Sequence, residues 1–75
     1  MSLPAVSARE AIAAFKKCGF ELARINGSHH IYKRPGHRFN LTIPFHSRRA
    51  IKRGTLRKLI RDAGLTTDEF MELLG

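Results

Sequence analysis

Apolar positions near the start of the chain recur at helical spacing. Ala8, Ala11, Ile12, Phe15 and Cys18 lie three or four residues apart and form one stripe of an amphipathic helix. Ser7 and Glu10 precede it in the S-x-x-E order of a capping box, where each side chain satisfies the other's free backbone N–H. Gly19 supplies the left-handed residue on which helices often end. From Phe20 onward the helical period is lost. Phe20–Ile25 reads as a strand leading into Asn26-Gly27, a strong short hairpin signal, and Ser28–Arg34 as the returning strand. Pro35-Gly36 turns the chain again. His37–Phe45 alternates, with Phe39, Leu41 and Ile43 on one side and Arg38, Asn40 and Thr42 on the other. Pro44 cannot donate to a ladder, so pairing ends there or the strand lies at a sheet edge.

Helical spacing returns after a basic loop at His46–Arg53. Gly54 and Thr55 open a second helix with Leu56, Leu59, Ile60 and Ala63 as its buried stripe and Gly64 as its stop. Thr66 and Glu69 repeat the capping box, and Leu65 can staple onto Phe70 across it. The last helix carries Phe70, Leu73 and Leu74. The order α-β-β-β-α-α predicts a two-layer α+β domain, a three-stranded antiparallel sheet with its helices on one face. All 75 residues fit one domain, near the lower size at which an apolar core folds unaided. Residues 1–6 are expected to form a flexible N-terminus.

Charge changes this picture of an ordinary small domain. Residues 1–61 hold all 14 Lys and Arg and only two acids, Glu10 and Glu21, a balance of +12. Residues 62–75 hold the other four acids and no base, a balance of −4. Between Arg24 and Arg61 there are 11 basic side chains and no carboxylate. That asymmetry predicts a polyanionic partner for the middle of the chain, nucleic acid before membrane. No long basic amphipathic helix with an aromatic apolar face supports a membrane surface, and no apolar run reaches the ~18 residues of a membrane span. Cys18 is alone, which excludes an internal disulfide and fits a reducing compartment. A soluble, cytoplasmic protein is expected.

Candidate chemistry lies in four histidines at 29, 30, 37 and 46. Neighbours on a strand point to opposite faces, so His29 and His30 cannot act on one atom. If Tyr32 packs toward the helices, His29 faces out from the sheet with Lys33 two residues along; if Ile31 packs inward, the assignment reverses. The sequence lacks a Cys pair, an H-E-x-x-H and any central carboxylate, which argues against a zinc site and against two-metal nuclease chemistry. Ser28 and His29 diverge on a strand and have no acid nearby, so a serine triad fails. Metal-free RNA cleavage remains. The ribose 2′-hydroxyl is its own nucleophile there, and imidazole, titrating near ~6.5, can accept or give a proton at neutral pH.

Three motifs sharpen that reading. G-S-H-H-I-Y at 27–32, T-I-P-F-H at 42–46 and G-T-L-R-K-L-I-R-D-A-G-L at 54–65 resemble, in order, the HicA toxins of bacterial toxin–antitoxin modules. The resemblance extends from about Ser7 to Leu74. It implies a fold similar to the double-stranded RNA-binding domain, an endoribonuclease that cuts mRNA and blocks translation, and neutralisation by a HicB-type antitoxin protein. It implies that the histidine of G-S-H, His29, is catalytic, and that His46 of P-x-H is an auxiliary. No cofactor and no metal are expected. The expected RNA-binding residues are Ser28, Lys33, Arg34, Arg38, Arg48, Arg49, Lys52, Arg53, Thr55, Arg57 and Lys58. A non-catalytic RNA-binding module of the same fold is the alternative. A DNA-binding helix-turn-helix over residues 54–74 is disfavoured, because Asp68, Glu69 and Glu72 would repel phosphate.

Overall fold

A computed structural model describes residues 3–75. The expected order is found: α1 (Ala8–Lys17), β1 (Glu21–Asn26), β2 (His29–Lys33), β3 (Leu41–Pro44), α2 (Arg53–Asp62) and α3 (Thr67–Leu74). Both capping boxes form. The Glu10 amide donates to Ser7 Oγ at 3.1 Å and the Ser7 amide to Glu10 Oε1 at 3.0 Å. Thr66 and Glu69 do the same for α3 at 3.1 and 2.8 Å. Gly19 and Gly64 end α1 and α2 with φ of 98° and 80°, a region closed to most side chains.

The strands form one antiparallel sheet in the order β1-β2-β3, so β3 and its Pro44 lie at an edge, as proline requires. Register settles the parity that the sequence left open. Tyr32 pairs with Leu41 and His30 with Ile43, and Tyr32, Leu41 and Ile43 are buried under the helices. His29, Ile31 and Lys33 therefore lie on the opposite, open face. Asn26 pairs with His29, so the hairpin loop is Gly27-Ser28 rather than Asn26-Gly27. Gly27 has φ 62° and Ser28 a negative φ, the type II′ pattern with glycine first.

Three expectations need correction. The third strand begins at Leu41, not His37, because His37 turns inward to serve α2. Its Nε2 lies 2.6 Å from the Asp62 carbonyl at the end of that helix. Phe39 consequently leaves the alternation and is 48% exposed, while Leu41 and Ile43 are fully buried. The segment before Ser7 is not loose over residues 3–6: Leu3 and Val6 are core residues, and the Ile51 amide donates to the Val6 carbonyl at 2.7 Å. Residues 1 and 2 lie outside the described part.

The core lies between the sheet's inner face and the helices. Phe15 of α1 contacts Phe20 edge-on at 6.2 Å and Phe70 of α3 at 5.2 Å between centroids. All three rings are buried, and each contributes roughly 1.5–3 kcal/mol by leaving water. Helices cover one side of the sheet only; on the other, Ile31 is still buried while His29 is exposed.

Candidate active site

A cleft of about 490 Å³ opens at the β3 edge of the uncovered sheet face. One wall is the sheet itself: His29 from β2, with Thr42 and Pro44 from β3. Pro44 sits directly across from His29, and Thr42 across from Ile31, so all three share the outer face. The other wall is the loop after β3, which contributes His46, Arg49, Ala50, Ile51 and Lys52, followed by Thr55 from the first turn of α2.

Backbone bonds fix this geometry. Past the last pair of the ladder, the Phe45 amide still donates to the Ser28 carbonyl at 2.7 Å, so His46 leaves the sheet beside the hairpin. The Arg49 amide donates to the His46 carbonyl at 3.1 Å and closes a turn. Ile51 is tied to Val6, and Ala50 bridges Ser7, which anchors the far wall to the start of α1. Helix α2 begins at the cleft without a side-chain cap and without an acid in its first turn. Its free N–H groups and positive dipole end add to the charge of Arg49 and Lys52. Among the described residues no carboxylate lines the cleft, and no group of three His, Cys, Asp or Glu is placed to hold a metal.

Five expected site residues thus meet in one place: His29, His46, Arg49, Lys52 and Thr55. The remainder are dispersed. Ser28 is exposed in the hairpin turn and Arg48 is exposed on the loop outside the cleft lining. Lys33 lies at the far end of β2 on the open face, and the Arg38 guanidinium sits 5.5 Å from the Phe39 ring centroid. Arg53 and Arg57 are exposed on α2, while Lys58 pairs with Asp62 at 2.6 Å. Arg34 is engaged within the fold. Its half-buried guanidinium donates to the Cys18 carbonyl at 2.9 Å and to His37 Nδ1 at 2.8 Å, and it lies 4.8 Å from the Phe20 ring centroid. These contacts tie it to the end of α1 and to His37.

The other two histidines are structural. His30 is half-buried on the helix side, stacked on Phe45 at 4.5 Å and 11°. Arg34 can only donate and the Asp62 carbonyl can only accept, so His37 carries its proton on Nε2. Sequence reasoning missed Thr42, Ala50 and Ile51 as cleft residues. Register alone would have placed Thr42 there, since its partner Ile31 shares the face of His29.

Fold and cleft define a class: a small basic α+β domain with an imidazole-bearing, carboxylate-free cavity on the open face of its sheet. Residues 8–65 match the family described as HicA toxin of bacterial toxin–antitoxin systems, and the chain belongs to that family. A comparison with curated proteins gave no match. The protein is therefore the toxin of such a module, whose partner is an antitoxin of the HicB type. The matched span ends before α3, short of the Ser7–Leu74 likeness read from motifs. Among the described residues no helix is long and apolar enough to cross a membrane.

Proposed function

We propose that this HicA-family toxin is a metal-independent endoribonuclease that cuts single-stranded regions of mRNA, with His29 as a proton-transfer residue. The observation that carries this reading is the placement of His29: exposed on β2, at a cleft whose lining includes Arg49 and Lys52 and no acid. A ribose 2′-hydroxyl lying beside His29 loses its proton to the imidazole as its oxygen attacks the adjacent phosphorus. Arg49 and Lys52 offset the charge that grows on the phosphoryl oxygens, and the Thr55 hydroxyl adds a neutral donor. The missing carboxylates suit this chemistry twice, since they would repel phosphate and are not needed to bind a cation. DNA lacks the attacking hydroxyl and is not a substrate. The HicB-type antitoxin silences the toxin by covering this same cleft.

The test is incubation of purified protein, free of antitoxin, with mRNA in EDTA, followed by sizing of the RNA. Wild type should fragment it, and His29→Ala should be slower by roughly 10²–10⁴-fold, the usual cost of losing a general acid or base. Intact RNA with folded wild type would leave a binding module without catalysis. Equal cleavage by His29→Ala would remove His29 from the mechanism.

A further inference from the structure

We propose that His46 is a second catalytic residue, the general acid that protonates the leaving 5′ oxygen while His29 acts as base. This rests on the ribonuclease reading above. Attack by the 2′ oxygen and departure of the 5′ oxygen occur on opposite sides of phosphorus, so one imidazole cannot serve both at once. The cleft contains a second imidazole in a suitable position.

Pro44 lies directly across the ladder from His29. The side chain of Phe45 turns to the helix side, where it stacks on His30, and His46 returns to the cleft. His46 is two residues past that partner, beyond the end of β3, and lines the same cleft as His29. A phosphate held in this cleft lies against both imidazoles, one from each wall. The hydrogen bonds from Phe45 to Ser28 and from Arg49 to His46 hold the backbone on both sides of His46.

Other cleft residues suit the role poorly. Guanidinium and ammonium groups keep their protons far above neutral pH, and a threonine hydroxyl does not ionise. Imidazole is the side-chain type whose ordinary chemistry suits proton transfer near neutral pH. The step balances. His29 takes the 2′-hydroxyl proton as the O2′–P bond forms; the P–O5′ bond breaks with its electron pair on O5′, which accepts a proton from the His46 imidazolium. The products are a 2′,3′-cyclic phosphate and a 5′-hydroxyl, with His29 protonated and His46 neutral.

The experiment uses an RNA oligonucleotide spanning a mapped cleavage site, made with oxygen or with sulfur at the 5′ bridging position. A thiolate leaves without protonation, so the sulfur substrate does not need the acid. His46→Ala and His46→Gln should lose at least ~10²-fold on the oxygen substrate and stay within about tenfold of wild type on the sulfur one. His29→Ala should be impaired on both. Equal losses of the His46 variants on both substrates would make His46 a phosphate contact and overturn the proposal, as would full activity on both. Wild type inert toward both substrates would instead overturn the ribonuclease reading itself.

Discussion

His29 and His37 show how one residue type takes two roles according to what its ring nitrogens meet. His37 has both nitrogens engaged, bridging Arg34 and the last turn of α2. Removing it leaves the Asp62 carbonyl and one arm of Arg34 unsatisfied, each costing about 1–3 kcal/mol if it stays dry. His37→Ala should therefore lower the urea midpoint clearly, yet leave cleavage per folded molecule unchanged; an unchanged midpoint would mean that water replaces both bonds. Cys18 is the other residue whose surroundings set its chemistry. Burial raises its thiol pKa above the ordinary value, more than the nearby Arg34 charge lowers it, and its Sγ donates to the Phe15 carbonyl at 3.2 Å. A raised pKa means less thiolate at neutral pH, so folded Cys18 should react with iodoacetamide more slowly than free cysteine and accelerate in urea. A rate equal to that of free cysteine would show the thiol to be open.

At the scale of elements, the helices contrast in how they begin. Helices α1 and α3 have reciprocal capping boxes and an acid in the first turn, whereas α2 starts uncapped among cations. Ser7→Ala should cost about 1 kcal/mol by freeing the Glu10 amide, measurable by denaturation. Helix α3 lies beyond the family match but inserts Phe70, fully buried, against Phe15. Phe70→Ala should cost roughly 3–5 kcal/mol, a large part of what a domain this size has; a loss below 1 kcal/mol would mean that α3 is only appended. These helix boundaries were readable in the sequence because caps and glycine stops are local signals. Strand boundaries were less so. Alternation ran on through Phe39 because the bond that ends it, from His37 to the Asp62 carbonyl, joins residues 25 apart. The hairpin loop lies one residue past Asn26-Gly27, because Asn-Gly satisfies a type I′ turn equally well and only the pairing of Asn26 with His29 decides. Leu3 was missed because nothing local marks a residue buried by later parts of the chain.

For the whole molecule, charge and topology act together. The helices occupy one side of the sheet, and the basic loop folds against the edge of the other, so Arg49 and Lys52 line a cleft that holds no acid among the described residues. Binding of single-stranded RNA by His29→Ala should lose about 0.7 decades of affinity per decade of salt for each phosphate neutralised. A flat response would show that this surface is not the RNA site. The charge pattern alone points to an anionic partner, and the resemblance singles out His29. Neither separated the cations of the cleft from Arg34, whose guanidinium turns inward onto Phe20, nor placed Thr42 beside His29; both facts depend on sheet register and tertiary packing. Whether the substrate's own 2′-hydroxyl attacks, with no metal-bound water, turns on one atom. An RNA with a single 2′-deoxynucleotide at the mapped cleavage site should bind wild type as tightly as the all-ribose strand and remain uncut there in EDTA. Cleavage at the deoxy linkage would mean that water is the nucleophile and would contradict the mechanism assigned to this cleft.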